Sequence, residues 1–277
     1  MKKAIVLSDQ HIPFHDKKVN DLLFDFIEDF KPDYVDLLGD LIDFWQISRF
    51  RKSPNRKETI QDDIDEAGLY LQRLRDLCPG AEITLHFGNH LSRLRKYIWD
   101  NANQLDCLRA VDLKVLLDLN KLHLKVIDGE QGFVTRGKLV LTHGTVVSQD
   151  SGMTARRNLN KYGMSVICGH THRLGQVFKT DCRGTIGAWE NGCLCNLDLI
   201  KEWGSELANW QQGFSLVFLK EHSKFHVESI PIFNNQWFMV GERYYEVGKK
   251  DDQGVHLLRN GEQEVGEVLP ELRKTDT

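Results

Sequence analysis

The 277-residue chain has no long hydrophobic run and no large excess of either charge. None of its apolar stretches approaches the roughly 20 residues that a helix needs to cross a bilayer, so we expect no membrane span. The net charge of −4 gives no general attraction to nucleic acid or acidic membranes. Neither an internal repeat nor a low-complexity segment is present. With 41% hydrophobic and 27% charged residues, the composition is that of an ordinary globular protein.

Two further absences bear on where the protein acts. The start of the chain, from Met1 to Asp9, lacks the apolar core of a secretory signal peptide and already reaches a candidate metal ligand. There are only six cysteines, and Cys193-Leu194-Cys195 is too tight for a zinc knuckle and has no second pair. We therefore expect a cytoplasmic protein whose thiols are reduced and mostly buried.

Strand and helix patterns alternate in the first third of the chain. Strands are predicted at 3–8, 33–38 and 82–87, and helices at 16–30 and 57–77. Asp16 is a suitable N-cap for the first helix. This β-α-β-α-β order is typical of a layered α/β fold.

Strand patterns dominate the rest of the chain. Residues 91–117 look helical in two or three short pieces, and a further helix is predicted at 152–162. Strands are expected at 122–127, 132–136, 138–142, 164–168, 175–180, 185–188, 193–199, 214–219, 224–232 and 236–247. We predict one domain over 1–247 and a polar C-terminal tail over 248–277.

Five polar motifs stand where predicted strands end. They are Asp9-Gln10-His11, Gly39-Asp40, Gly88-Asn89-His90, His143-Gly144 and Gly169-His170-Thr171-His172. Loops at the carboxyl ends of strands are where α/β sheets bind their ligands. Seven converging Asp, Asn and His side chains could hold two divalent ions, which points to metal-assisted hydrolysis. Mixed histidine and carboxylate ligands suit Mn, Fe, Zn or Co better than Mg or Ca.

The spacing inside these motifs gives local expectations. Asp9 and His11 should share one face, because side chains of an extended chain repeat every second residue. His170 and His172 have the same spacing and must splay, or both will bind the same ion. Gly39 allows the backbone to turn tightly before Asp40, whose two oxygens can bridge two ions.

The motif series resembles that of the calcineurin-like metallophosphoesterase superfamily. The matches are D-X-H at Asp9-His11, G-D-X-X-D at Gly39–Asp43, G-N-H at Gly88–His90, His143, and G-H-X-H at Gly169–His172. The resemblance covers roughly residues 3–195 and includes Glu190-Asn191-Gly192. It implies an α/β fold of the four-layer αββα sandwich type, here with a β-rich C-terminal part.

The resemblance also implies a role for each motif residue. One ion would be held by Asp9, His11, Asp40 and His172, and the other by Asp40, Asn89, His143 and His170. His90 would act on the leaving group as a proton donor or charge stabiliser. Asp43 would fix the tautomer of His90, and a water bridging the ions would be the nucleophile. Two divalent ions are expected, Mn²⁺ first, with Fe, Zn, Co and Ni as alternatives.

Departures from the family pattern bear on the substrate. Ser/Thr protein phosphatases have Arg-Gly after the second aspartate of their G-D-X-X-D motif, whereas Asp43 is followed by Phe44-Trp45. Leu91 replaces the acidic residue that usually follows G-N-H. These differences favour the branch that contains phosphodiesterases, nucleases and small-molecule phosphatases.

Cationic residues beside the motifs are candidate substrate contacts. Arg93 and Arg173 are predicted to bind phosphate oxygens, with a solvated helix face as the alternative. The basic segment 49–57 indicates a nucleotide or nucleic-acid substrate. Phe44, Trp45 and Phe50 could stack on a base, and core packing is the alternative for them.

Three hypotheses follow for the function. The first is a metal-dependent phosphodiesterase acting on nucleotides or nucleic acid. The second is a phosphomonoesterase acting on a protein or small metabolite. The third is a non-enzymatic scaffold with the same fold, which would predict missing ligands, yet all seven and His90 are present. The sequence leaves the oligomeric state open.

Overall fold

The computed structural model describes residues 1–49, 52, 56–200, 208–221 and 224–248. Its strands are β1 (Lys2–Leu7), β2 (Tyr34–Leu37), β3 (Glu82–His86), β4 (Leu124–Ile127), β5 (Phe133–Arg136), β6 (Leu139–Thr142), β7 (Ser165–Cys168), β8 (Leu174–Asp181), β9 (Gly184–Asn191), β10 (Gly213–Lys220), β11 (Lys224–Pro231), β12 (Trp237–Val240) and β13 (Arg243–Glu246). Its α-helices are α1 (Lys17–Phe30), α2 (Ile60–Leu77), α3 (Ser92–Ala102), α4 (Leu113–Leu116), α5 (Met153–Tyr162) and α6 (Leu197–Ile200). Within these ranges no helix has the length and hydrophobicity that crossing a membrane requires.

Two sheets form the centre of the described fold. The first has the strand order β11-β10-β1-β2-β3-β4, in which β1 to β4 run parallel and β10 is antiparallel to β1. The second has the order β5-β6-β7-β9-β8, in which β6, β7 and β9 run parallel. β12 and β13 form a separate hairpin. The parallel strands bring the loops that follow them to one edge of each sheet.

Side-chain alternation along the strands separates the layers. On β1, Ile5 and Leu7 join the core beneath α1 and α2, whereas Ala4 and Val6 join the core between the two sheets. This two-residue period is the geometry of an extended chain buried on both faces.

The second sheet repeats the arrangement. Leu139 and Leu141 of β6 face the first sheet, while Val140 packs with Ala155 and Leu159 of α5. The fold thus has four layers in the order helices, sheet, sheet and helix, and an apolar core lies between each pair of adjacent layers. The predicted αββα sandwich is confirmed, and so is its β-rich C-terminal part.

The starts of the first two helices follow from their caps. The Asp16 side chain accepts a hydrogen bond from the Val19 amide, as its predicted N-cap role requires. The second helix begins at Ile60, later than predicted, because Thr59 and Asp62 form a capping box that satisfies two amide groups of its first turn.

Two sequence predictions concern the C-terminal part of the chain. The strand predicted at 193–199 is wrong, because Cys193 and Cys195 make only isolated bridges to Gln212 and His15, and α6 follows. Successive residues of this segment bond to different parts of the chain, so they form no ladder with a single partner strand. The predicted tail at 248–277 lies outside the described residues, apart from Gly248.

A buried ion pair joins the two sheets. Arg136 on β5 donates from Nε and Nη2 to the two carboxylate oxygens of Asp36 on β2, at 3.1 and 2.8 Å. It also donates to Glu82 and Thr84, and its guanidinium lies 4.2 Å from the centre of the Tyr34 ring. Burial raises the pKa of Asp36, an effect that the charge of Arg136 opposes. The carboxylate therefore depends on this single guanidinium.

Removing one partner of this pair should cost more stability than removing both. Arg136→Met leaves Asp36 buried and unpaired, so we expect the free energy of unfolding to fall by about 3–5 kcal/mol. The double variant Arg136→Met/Asp36→Leu should recover most of that loss. Urea denaturation followed by circular dichroism measures both. A double variant as unstable as the single one would show that lost packing, and not the unpaired charge, dominates.

Candidate metal centre

The five motifs meet at the carboxyl-terminal edges of the two facing sheets. In chain order, Asp9 follows β1, Asp40 follows β2, Asn89 follows β3, His143 follows β6, and His170 and His172 follow β7. Each loop leaves a strand whose last three residues are buried, so the strands hold the loops in place. The structure therefore brings together all seven residues that the motifs suggested.

Most of these residues have an unusual backbone conformation. Five of the seven have positive φ angles: Asp9 56°, His11 53°, Asp40 51°, His170 75° and His172 56°. Such angles are uncommon outside glycine, cost roughly 1–3 kcal/mol each, and concentrate at functional sites. The periodicity argument for Asp9 and His11 is therefore wrong, because β1 ends at Leu7 and both residues are left-handed.

The first cluster contains Asp9, His11 and His172. The Nε2 atoms of the two histidines lie 3.0 Å apart, and Oδ1 of Asp9 lies 3.3 Å from His172 and 3.8 Å from His11. The other oxygen of Asp9 accepts hydrogen bonds from the Ser8 hydroxyl and from the His170 amide, the latter at 3.0 Å. Oδ1 is buried and has no hydrogen-bond donor among the described residues.

The second cluster contains Asp40, Asn89, His143 and His170. Nε2 of His143 lies 3.1 Å from Oδ2 of Asp40 and 3.0 Å from Oδ1 of Asn89. A nitrogen of His170 lies within 4.8 Å of the Asp40 and His143 donor atoms. His170 and His172 therefore splay to different clusters, as their spacing required. Asp40 also lies within 4.8 Å of nitrogens of His11 and His90, so it stands between the clusters and beside His90.

The spacings within both clusters fit bound transition-metal ions. Ligand atoms 2.0–2.2 Å from one ion lie about 2.8–3.6 Å from each other in octahedral or tetrahedral shells. Four of the contacts, at 3.0, 3.3, 3.1 and 3.0 Å, fall in that range. The unpartnered Oδ1 of Asp9 also faces inward. These residues could therefore hold divalent ions.

The charges of the site favour a bound cation. Burial lowers the pKa of His11, but the contact with Asp43 and the nearby carboxylates of Asp9 and Asp40 outweigh burial and raise that pKa to about 10. Burial would raise the pKa of Asp9, yet His11 and His172 hold it well below its usual range. Burial lowers the pKa of His170 to about 4, and the nearby His143 adds to the effect. The carboxylates therefore stabilise positive charge at this site. Bound divalent ions would supply that charge while the imidazoles stay neutral.

Glycine is needed in these motifs because carboxylates pack directly on the backbone. A Cβ on Gly88 would overlap Oδ1 of Asp40, and a Cβ on Gly169 would lie 2.9 Å from Oδ2 of Asp9. Gly39 has a φ of +128°, which side chains rarely adopt, and comes close to His143. The glycines thus allow the motif loops to approach each other closely, and they also allow the backbone to turn.

Gly88→Ala should displace the Asp40 carboxylate and weaken metal binding. We expect at least a 10–100-fold loss of affinity, the range seen when groups that orient metal ligands are altered. Gly68→Ala in α2 is the matched control, because no atom within 4 Å would meet its Cβ. Metal titration by calorimetry measures both variants. Unchanged metal affinity in Gly88→Ala would show that metal binding does not depend on the present position of the Asp40 carboxylate.

Asp43 lies between two histidines. Its Oδ2 is 3.0 Å from Nδ1 of His90 and 3.1 Å from Nδ1 of His11. The first contact agrees with the predicted pairing, whereas the second was not foreseen. A carboxylate on Nδ1 of His11 orients that ring so that Nε2 faces the first cluster. Burial raises the pKa of Asp43, but the two histidines outweigh burial and lower it.

Arg93 completes the group around His90. Its Nη1 donates to the backbone oxygen of Asp43 at 2.8 Å and approaches Oδ1 at 3.3 Å, and its Nη2 lies 2.9 Å from Nε2 of His90. A guanidinium only donates, so Nε2 of His90 accepts this bond and the proton is on Nδ1, facing Asp43. Arg93 thus reaches the site, but it occupies the nitrogen through which His90 would meet a substrate.

Comparisons with known proteins give a family but no activity. No protein-family model matches the chain. The chain is 31% identical over 259 residues to the Gene 54 protein of Mycobacterium phage L5, and 32% identical over 260 residues to that of Mycobacterium phage D29. Each alignment covers 89% of this chain and 99% of the phage protein. The chain belongs to the Gene 54 protein family.

Solved structures similar to this member of the Gene 54 protein family are distant. Vps29 from Chaetomium thermophilum has a TM-score of 0.45 and 12% identity, covering 89% of this chain and 100% of that one. Vps29 from Entamoeba histolytica in complex with zinc has a TM-score of 0.43 and 14% identity, covering 84% and 93%. The nuclease MPE of Pseudomonas putida has a TM-score of 0.36 and 13% identity, covering 88% and 86%.

The layers and the motif loops agree with the fold that the sequence resemblance implied. Four layers, with the loops of the motif series at one edge, are the arrangement expected for a calcineurin-like metallophosphoesterase.

Other predicted substrate contacts are less accessible. Arg173 is buried and donates to the Thr171 backbone oxygen at 3.2 Å. Arg56, from the basic segment, pairs with Asp63 at 3.3 Å and covers the Phe14 ring. Phe44 is fully buried, which is the core-packing alternative. Phe50, Arg51 and residues 53–55 lie outside the described residues.

The motif comparison included Glu190 but gave it no role in the site. Glu190 is fully buried, and its carboxylate accepts bonds from the Ala155 amide at 2.9 Å and from the Thr171 hydroxyl at 3.3 Å. Thr171 lies between His170 and His172, so Glu190 positions the loop that separates those imidazoles. An acidic residue directly after the apolar pair Ala188-Trp189 was the available signal.

Proposed function

We propose that the protein is a metal-dependent phosphoesterase that cleaves phosphodiesters of nucleotides or nucleic acid. The observation that carries the proposal is the position of Asp40 between two donor clusters, with His90 and Arg93 beside it. Two divalent ions, Mn²⁺ before Fe, Zn, Co or Ni, would polarise phosphoryl oxygens and lower the pKa of water.

The residues around the clusters supply the other parts of the reaction. Arg93 can transfer its donors from His90 to a phosphate oxygen, for which a guanidinium is suited geometrically. Nε2 of His90 is then free to face the leaving oxygen, while Asp43 holds Nδ1 at 3.0 Å. A His90 ring that has also taken up a proton on Nε2 can donate it there or stabilise developing charge. Asp43 also contacts His11, so it links His90 to the first donor cluster.

A diester is favoured over a monoester by the space beside the site. A cleft of about 650 Å³ begins at Asn89 and Arg93 and continues along α3, so a second ester substituent has room. The Asp43-Phe44-Trp45 sequence lacks the arginine of protein phosphatases. We also propose action in the cytoplasm, a reducing compartment in which six unpaired thiols are expected.

Chromogenic substrates test the proposal directly. Protein stripped with EDTA should be inactive, and added Mn²⁺ should restore hydrolysis of bis-p-nitrophenyl phosphate more than that of p-nitrophenyl phosphate. Undiminished activity in EDTA would refute the metal requirement. A preference for the monoester would favour the phosphomonoesterase hypothesis instead. Metal binding without turnover of either compound, or of an oligonucleotide, would favour a non-enzymatic scaffold.

A further inference from the structure

The cleft beside the metal centre is lined mostly by polar and charged residues. One wall is α3, the other contains Ile47, Arg49 and Lys52, and Asn89 lies at its inner end. We call this space the α3 cleft. Four cations and one carboxylate, Asp100, line it. The whole chain carries a net charge of −4, so this positive charge is local.

The wall formed by α3 is one continuous face of the helix. Arg93, Lys96, Tyr97, Asp100 and Asn101 line the cleft, at positions i, i+3, i+4, i+7 and i+8. This spacing is normally that of an apolar stripe packed on a core. Here the apolar residues of the helix, such as Ile98, face the other way. From Arg93 to Asn101 the helix rises about 12 Å, leading away from the metal centre.

The cations in the cleft are available to an anionic ligand. Lys96 contacts Glu130, and Arg49 lies 3.5 Å from Asp100, but the side chains of Lys96 and Arg49 are 56% and 94% exposed. Exposed ion pairs contribute little stability, so a phosphate can replace either carboxylate at low cost. Arg93, nearest the site, is the one cation among them that is mostly buried.

An aromatic ring lies among these cations. Tyr97 is 47% exposed and stands one residue after Lys96 on the same face. Cationic grooves that carry an accessible aromatic ring bind single-stranded nucleic acid, because phosphates meet the cations and an unpaired base stacks on the ring. A phosphopeptide would use the cations but has no base to place on Tyr97.

We propose that the α3 cleft binds the nucleotides next to the cleaved phosphate in a single strand of DNA or RNA. Lys96, Arg49 and Lys52 contact the phosphates, and Tyr97 stacks on a base. Along 12 Å, a strand with about 3.4 Å per nucleotide places roughly three nucleotides. The inference rests on the proposed function, because it assumes that the scissile phosphate lies at the metal centre.

Binding of fluorescein-labelled decathymidylate, followed by anisotropy in EDTA, tests the cleft without any turnover. Tyr97→Ala should weaken binding about fivefold or more, the lower end of the loss expected for one stacked base. Tyr97→Phe should restore it, because the ring is kept. Lys96→Gln should weaken binding and lower the slope of log Kd against log salt by about 0.7, the contribution of one phosphate contact on a single strand.

The opposite face of α3 provides matched controls. Arg95 and Trp99 are also exposed, but they line a different cavity, where Arg95 pairs with Asp128. Arg95→Gln and Trp99→Ala should leave decathymidylate affinity within about twofold of wild type. If the control variants lost as much affinity as Lys96→Gln and Tyr97→Ala, or if no variant lost affinity, the inference would be overturned. Tighter binding of a phosphoserine peptide than of decathymidylate would overturn it as well.

Turnover separates this inference from the proposed function. With Mn²⁺, Lys96→Gln and Tyr97→Ala should each lower kcat/KM on the oligonucleotide at least several-fold more than on bis-p-nitrophenyl phosphate. If wild type hydrolyses the small diester but the variants lose nothing on the oligonucleotide, only the cleft inference fails. If wild type hydrolyses no phosphate ester, the proposed function fails, and the anisotropy result still decides whether the cleft binds nucleic acid.

Discussion

Replacing Asp40 with asparagine should remove more than one ligand's share of metal binding and activity. One oxygen of Asp40 accepts the His90 amide at 2.8 Å, and the other lies 3.1 Å from Nε2 of His143. Asparagine keeps the shape of the side chain but removes the one carboxylate that, among the described residues, belongs to donor groups on both sides of the site. Both ions would lose their common anion, so we expect less than one ion per chain and a fall in activity well beyond about 100-fold.

Elemental analysis after dialysis, together with hydrolysis of bis-p-nitrophenyl phosphate, measures this loss. Asp65→Asn is the matched control, because Asp65 is exposed on α2 and bonds to Gln61 within its own helix. It should keep wild-type metal content and rate. An Asp40→Asn protein that retains both ions would show that the clusters are independent sites without a shared ligand.

Replacing His90 should cost turnover but not metal. His90→Gln is expected to lower kcat by about two to four orders of magnitude, as removal of a general acid does. Its ring nitrogens contact Asp43 and Arg93, and its Nε2 is 3.9 Å from Asp40, farther than that of His143. We therefore expect the metal content of the variant to match wild type in elemental analysis.

A series of leaving groups distinguishes the two roles open to His90. If His90 donates a proton, the loss in His90→Gln should shrink for p-nitrophenol, which leaves readily without one. An equal loss across leaving groups would identify His90 as a charge stabiliser. The bond from Arg93 to Nε2 of His90 makes this test informative, because a proton donor there requires Arg93 to move onto the substrate. Loss of metal in His90→Gln would contradict its assignment altogether.

Local patterns in the sequence predicted the elements and the convergence of the motifs. The Asp16 cap and the apolar spacing after it located α1 nearly to the residue, and ligand motifs after apolar strands located the site edge. These features depend on residues close together in the chain.

Contacts between distant segments could not be derived in this way. Asp43 bonds His11 across 32 residues, and Glu190 bonds Thr171 from a neighbouring strand. The left-handed conformations of Asp9 and His11 arise because their loop is tied to the next motif loop, through the His11 amide and the Asp40 oxygen at 2.9 Å. No local periodicity encodes such bonds, so Asp-X-His was assigned a strand geometry that it does not have.

The pairing of β1 with β10 has a consequence during synthesis on the ribosome. β1 is made well before its partner β10, because Ala4 pairs with Val217, which is translated about 200 residues later. At roughly 5–20 residues per second, that delay lasts about 10–40 s. For this time the nascent chain carries an apolar strand with one open edge, which is a template for aggregation. The Asp9 loop also waits for the Leu194 amide that bonds its backbone, so the metal centre assembles only late in translation.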